Sequence, residues 1–280
     1  MSIVYLNGEY LPKDAAKISV LDRGFTFAES IYEVIPVFGK NIFRLREHLN
    51  RLDNSLQAIH ITNPFSVSEW QEILSEVLAR NDDDVDRSLY VQVSRGVGDR
   101  EHLDDSEMVP TTFVMCRRAK KLDFEDGVSV ITHEDIRWKY CHIKATTLLA
   151  NVMLKQLARD ADNSTEAILF RGDYLTEGAA SNVFLVKDNV VRTPEKDGSV
   201  LPGITRDLVL ELLEHASISC VENKITLNEF KNADEIWLTS SSLGIAPVIR
   251  LDGNEVGKGK PGQFWRKANA LYEDFKLNSG

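Results

Sequence analysis

Cysteine is scarce. The 280 residues contain only Cys116, Cys141 and Cys220, odd in number, far apart and without a Cys-x-x-Cys spacing. That disfavours a disulfide scaffold or a structural zinc site and makes a reducing cytoplasm the expected home. No window approaches the roughly 18 apolar residues of a membrane span. The opening Met1-Ser2-Ile3-Val4-Tyr5-Leu6 lacks the charged start and apolar core of a secretory signal. Positive charge is also short: 33 Lys+Arg against 43 Asp+Glu leave a formal net charge of -10. With no long basic run, sequence-independent nucleic-acid binding is excluded for want of a cationic footprint. Gly96-x-Gly98 lacks the third glycine of a dinucleotide fingerprint, and no helical pattern follows it. The acidic run Asn81-Asp82-Asp83-Asp84-Val85-Asp86 lacks the glycine and final glutamate of an EF-hand loop. It reads as a solvated turn, and no metal is expected.

What is present is an enzyme-sized chain, 43% hydrophobic and 27% charged, long enough for a substantial core. Residues 3–6 and 9–11 flank Asn7-Gly8 as a hairpin, and residues 31–37 alternate as a strand that turns through Gly39-Lys40 into 41–44. Leu45, Leu49, Leu52 and Leu56 recur at helical spacing, with Arg51 at the edge of that stripe or away from it. A second helix is expected over 68–80, and strands over 88–95 and 111–116. Polar residues 117–122 mark a domain boundary, dividing the chain into 1–120 and 121–280.

The organising stretch is Trp138-Lys139-Tyr140-Cys141-His142-Ile143-Lys144. After it, Leu148, Leu149, Val152, Met153, Leu157 and Ala158 fall on one side of an amphipathic helix. Lys144 is thereby placed at a segment-to-helix junction, where an amine can point into a cleft. A desolvated amine there suits Schiff-base chemistry, although a lysine chosen blindly would be a surface residue. Downstream, Arg171-Gly172-Asp173 reads as a hairpin turn delivering Glu177 to a strand end, and Leu201-Pro202-Gly203-Ile204-Thr205 opens another helix whose free N–H groups suit an anion. Residues 233–239 read as a strand running into Ser240-Ser241, and Arg100-x-His102 places two donors on one loop, a possible carboxylate trap.

Lys144, Glu177-Gly178-x-x-Ser181-Asn182-x-Phe184, Leu201-x-Gly203-Ile204-Thr205-Arg206 and Thr239-Ser240-Ser241 stand in one order. That order resembles the pyridoxal-phosphate (PLP) enzymes of fold type IV, most closely the D-amino-acid aminotransferases, over nearly the whole chain. The resemblance implies an α+β fold with a small N-terminal sheet-and-helix domain, a larger C-terminal pseudo-barrel and the cofactor between them. It implies that Lys144 is the catalytic Schiff-base lysine and that Glu177 faces the pyridine nitrogen. Arg51, Ile204, Thr205, Ser240 and Ser241 would hold the phosphate, with Leu201 against the ring. Tyr32, Arg100 and His102 would orient the substrate carboxylate, the Arg100–His102 loop reaching into the neighbouring subunit of a homodimer.

The implied reaction is transamination of D-amino acids with 2-oxoglutarate, without nucleic-acid or membrane partners. Related chemistries on the same fold are an L-branched-chain aminotransferase, an (R)-amine transaminase and an aminodeoxychorismate lyase; a catalytically silent PLP-binding protein is a further alternative. One departure is Ala179-Ala180, where relatives often carry hydroxyls, so fewer hydrogen bonds to the cofactor are expected.

Overall fold

The computed structural model describes residues 2–81, 85–103, 107–119, 124–161 and 163–278. Residues 82–84 of the acidic run and 120–122 of the expected domain boundary lie outside them. The chain divides into two compact units, Met1–Lys120 with Ile143–Thr147, and Lys121–His142 with Leu148–Gly280.

In the first unit, β1 (Ile3–Leu6) and β2 (Glu9–Pro12) form the expected hairpin. Gly8 sits at φ +99°, a conformation that side-chain-bearing residues rarely adopt. A short helix α1 (Arg23–Thr26) is capped by Asp22, whose side chain accepts from the Gly24 N–H at 2.8 Å. Then follow β3 (Ser30–Phe38), β4 (Asn41–Ile42), α2 (Leu45–Ala58), α3 (Val67–Ala79), β5 (Arg87–Ser94) and β6 (Thr111–Arg118). The six strands pair antiparallel in the order β2-β1-β6-β5-β3-β4.

Strand alternation puts Ile31, Ile35 and Val37 of β3 in one apolar core with Leu49, Leu52 and Leu56 of α2 and Trp70 and Leu74 of α3. Glu33 belongs to the same register, so a carboxylate is carried into that core, fully buried. Ser66 and Glu69 start α3 with a reciprocal capping box, which fixes where the helix begins.

The segment Ile143–Thr147, expected in the second domain, belongs to the first unit. Its backbone pairs with β3: the Tyr32 N–H donates to the Lys144 carbonyl at 3.0 Å and the Thr146 N–H to that of Ser30 at 3.0 Å. Ile143 and Ala145 are buried in the first core, so alternation turns Lys144 to the other side of this short strand-like piece.

The second unit carries β7 (Val128–Glu134), α4 (Leu149–Asp160), β8 (Glu166–Arg171), β9 (Tyr174–Gly178), β10 (Asn182–Lys187), β11 (Val190–Thr193), α5 (Ile204–His215), β12 (Cys220–Glu222), α6 (Leu227–Lys231), β13 (Glu235–Ser240), β14 (Gly244–Leu251), β15 (Asn254–Glu255) and α7 (Gln263–Asn278). Its mixed sheet runs β12-β11-β10-β13-β14-β7-β8-β9, with β15 on β14. The last strand of that path leads through residues 179–181 into β10, the third, and the Gly178 N–H donates to the Ser181 carbonyl at 2.7 Å. The sheet therefore curls on itself as a pseudo-barrel, packed with Ile168, Val183, Leu185, Ile236, Leu238 and Ala246.

Helix α4 has the expected period but a different buried face. It starts at Leu149, five residues beyond Lys144, and turns Leu154 and Ala158 inward. Leu149, Val152, Met153 and Leu157 remain 74, 54, 48 and 43% exposed. Among the described residues nothing covers that stripe, so the shared side that periodicity identifies is only partly the buried one.

Candidate active site

In the first unit, Lys144 sits opposite β3, its Nζ 4.3 Å from the centroid of the Tyr32 ring. Its backbone N–H donates to the Ser55 hydroxyl of α2 at 3.2 Å, which further fixes the segment. Tyr32 in turn stacks on Tyr90 at 5.9 Å.

Arg51, expected at the edge of the leucine stripe or away from it, is buried. Its Nε and Nη2 fork onto the Glu33 carboxylate at 2.7 and 2.8 Å, while His48 Nδ1 lies 2.8 Å from Glu33 Oε2. Burial alone would push the Glu33 carboxyl up, but the Arg51 charge and fork and the His48 contact outweigh it and hold the group well below the usual carboxylate range. Burial pushes the His48 imidazole down despite Glu33, so its neutral form, with Nδ1–H donating, fits the contact.

Arg100 and His102 lie on the exposed loop after β5. Both gather around Phe27, the Arg100 guanidinium 5.3 Å from that ring's centroid and the His102 ring 5.5 Å away.

In the second unit, Glu177, the penultimate residue of β9, is almost fully buried. It accepts from Arg137 Nη1 at 2.5 Å, Asn182 Nδ2 at 2.9 Å and the Leu201 N–H at 3.0 Å. Asn182 also donates to the Leu201 carbonyl at 2.9 Å, so one amide side chain ties β9, β10 and the approach to α5 together. A Cβ on Gly203 would meet Asn182 Oδ1 at 1.9 Å, so only glycine fits there. Gly203 is the N-cap of α5 and supplies no side-chain acceptor, which leaves the first N–H groups, at Ile204 and Thr205, for an anion. Thr239 pairs across the sheet with Asn182, and its buried hydroxyl has no hydrogen-bond partner among the described residues. Ser240 follows it and accepts from the Leu243 N–H, and Ser241 is half-buried.

Burial is the main reason that the Glu177 carboxyl is pushed up, to about 7, with Arg137 opposing it. Arg137 itself is held more firmly protonated, since Glu177 and Asp135 outweigh its own burial. An ion pair should move its two members in opposite directions, and here both rise. The upward direction for the acid is physically reasonable because Arg137 is shared: its Nε and Nη2 go to Asp135 at 2.9 Å each, leaving Glu177 one of its N–H groups.

The class IV aminotransferase family model matches residues 30–251. The chain belongs to the class IV aminotransferases. This aminotransferase is 38% identical to the D-alanine aminotransferase of Bacillus licheniformis over 277 residues, 98% of this chain and 97% of the relative. The branched-chain aminotransferase of Thermoproteus uzoniensis, solved with norvaline, superposes with a TM-score of 0.89 at 25% identity, covering 98% of this chain and 94% of that one. Another branched-chain amino acid aminotransferase, complexed with N-(5'-phosphopyridoxyl)-L-glutamate, gives 0.92 at 24% identity and 100% and 95% coverage, a likeness of fold.

Within each unit, the structure groups the residues picked out in the sequence: Tyr32 with Lys144, Arg100 with His102, and Glu177 with Leu201 beside the start of α5. Several partners had escaped notice. Glu33 and His48 hold Arg51, and the clue was a charged residue in an apolar register beside a histidine three residues before the arginine. Asp135 and Arg137 are also partners that the motifs do not mark, although Asp135-x-Arg137 presents both signs two residues apart. Thr239, part of the Thr239-Ser240-Ser241 motif, adds a buried hydroxyl to which the sequence assigned no site role.

Proposed function

We propose that this aminotransferase uses PLP to transfer the amino group of D-amino acids, D-alanine among them, to 2-oxoglutarate. The donor set of the second unit fits the cofactor: a buried carboxylate for a pyridine nitrogen, an uncapped helix start for a phosphate and an orphan hydroxyl at Thr239. When bound, PLP supplies an electrophilic aldehyde carbon and a ring that accepts the electron pair released at the substrate Cα.

The protein's own residues do the rest. Lys144 Nζ would hold the cofactor covalently and would take a proton from the substrate Cα and later return one. Glu177, held by Arg137 and Asn182, would accept a hydrogen bond from the ring nitrogen. Ile204 and Thr205 N–H groups, Ser240, Ser241 and Arg51 would hold the phosphate, with Leu201 against the ring. The Glu33 fork keeps the Arg51 side chain in one orientation. Tyr32, Arg100 and His102 bind the α-carboxylate and so select the hand of the substrate.

The observation that carries the D-amino-acid reading is the exposed pair Arg100 and His102 gathered at Phe27, two donors free to converge on a carboxylate. A homodimer, with this loop completing the neighbouring active site, is supported by the uncovered apolar stripe of α4. A reducing cytoplasm is supported by free Cys116, Cys141 and Cys220.

The deciding assay offers D- and L-alanine with 2-oxoglutarate to the wild type and to Lys144→Ala. Pyruvate from the D-isomer alone, abolished in the variant, is the expected result. Turnover restricted to L-amino acids would replace this reading with the branched-chain one. Sedimentation of Leu149→Asp tests the dimer, with a monomer expected.

A further inference from the structure

The loop bearing Arg100 and His102 is attached to the fold in an uneven way. Its start is held by main chain: the Arg23 N–H donates to the Gly96 carbonyl at 2.8 Å, and Asp22 and Val97 form an isolated bridge. The stretch Asp99–His102 is held by the side chain of Arg23, which is only 4% exposed. Arg23 Nη1 donates to the carbonyls of Glu101 at 2.7 Å and Asp99 at 3.2 Å, and Nη2 makes a longer contact with that of His102 at 3.5 Å. Those carbonyls flank the two side chains assigned to the substrate carboxylate.

Arg23 is itself fixed. Its Nε donates to Glu29 Oε2 at 2.6 Å, and the other oxygen of Glu29 accepts from Arg95 Nε. Arg95 is moored to the carbonyls of Ile59 and His60 beyond the end of α2. Arg23 also lies over Phe27, its Cζ 4.6 Å from the ring that Arg100 and His102 contact. A planar guanidinium can serve a carboxylate and several carbonyls at once; a lysine ammonium offers one compact donor centre.

We propose that Arg23 is a positioning residue for substrate binding: anchored by Glu29, it ties the carbonyls of Asp99, Glu101 and His102 into the loop shape that presents Arg100 and His102 to the α-carboxylate. This rests on the carboxylate-binding role given to those two side chains above. Arg23 touches neither substrate nor cofactor, and it acts on the affinity for carboxylate substrates through the loop.

The test uses PLP-loaded holoenzyme and the D-alanine half-reaction in wild type, Arg23→Lys, Arg23→Gln, Arg100→Ala and the Arg23→Lys/Arg100→Ala double variant. Arg23→Lys keeps a cation beside Glu29 but loses the fork, and its melting temperature checks that the fold is retained. Misplacing a binding group by about an ångström can cost up to ~100-fold, so Arg23→Lys and Arg23→Gln are expected to raise the half-saturating D-alanine concentration by ~10-fold or more. The limiting rate should stay within about threefold, because the chemistry at Lys144 is untouched. In the Arg100→Ala background most of the Arg23→Lys effect should vanish, since the two act as one unit. Trypsin should also cut after Arg100 faster in Arg23→Lys than in wild type, because a released loop reaches the protease. An active wild type whose Arg23→Lys variant keeps its half-saturation and cleavage rate, or whose loss is undiminished without Arg100, would overturn this proposal alone. A wild type that turns over no D-amino acid would overturn the functional reading first.

Discussion

Two buried glutamates, one in each unit, have opposite acidities. Glu33 and Glu177 are both nearly inaccessible and both paired with arginine, yet Glu33 is held well below the usual range and Glu177 is raised to about 7. The difference is how much positive charge each receives. Arg51 forks onto both oxygens of Glu33 and His48 adds a third contact, whereas Arg137 divides itself between Asp135 and Glu177. Desolvation is common to both; the geometry of the cation decides the outcome. A carboxyl able to share or release a proton near neutrality suits a partner for a ring nitrogen, while a permanently ionised one suits a strut that fixes an arginine.

The largest break in this comparison should come from Arg51→Met, which leaves Glu33 buried without its counter-charge. Stability should fall by about 3–5 kcal/mol, read by urea unfolding at pH 7. Because the folded pKa of Glu33 lies below its ordinary 4.5, its contribution is present above that pH in the wild type and is lost as pH falls through the lower folded value. The variant should show a much weaker acid-side loss.

Arg137→Met should cost less, about 2–3 kcal/mol at pH 8, because Glu177 can take up a proton instead of remaining charged. The cost should shrink at pH 6, and an equal cost at both values would mean that Glu177 is ionised throughout.

Glu177 carries the reverse sign. Between pH 4.5 and about 7 the unfolded chain has released a proton that the folded one retains, so stability declines as pH rises through this window and levels off above it. Glu177→Gln should flatten that decline, with a net change at pH 6 of about 1 kcal/mol or less, as measured by melts across the window in protein free of PLP. A similarly small effect, about 1 kcal/mol, is expected from His48→Gln, since Arg51 still spans both Glu33 oxygens. A loss as large as that of Arg51→Met would show that the imidazole carries the pairing.

Much of the fold was legible because short-range rules act alone where a side chain meets only its own sheet or helix. The β1–β2 turn, the alternation of β3 and the leucine spacing of α2 are such cases. Of the site, the candidate residues could be named from their motifs, but their partners could not. Glu33 and Arg51 are 18 positions apart, and Glu177 and Arg137 are 40. Helix α4 shows the same boundary from the other side, since its period was plain in the sequence while its inward face depended on what covers each stripe.

By itself, the sequence determined which local conformations each stretch prefers and which chemical groups the chain carries, because propensity, spacing and side-chain chemistry belong to the residues. Only the tertiary structure decided that Lys144 lies along β3, that Arg51 forks onto Glu33 and that Arg23 reaches the loop of Arg100 and His102. These are contacts between distant segments, set by how buried charges find partners when the core closes, and no local pattern encodes them.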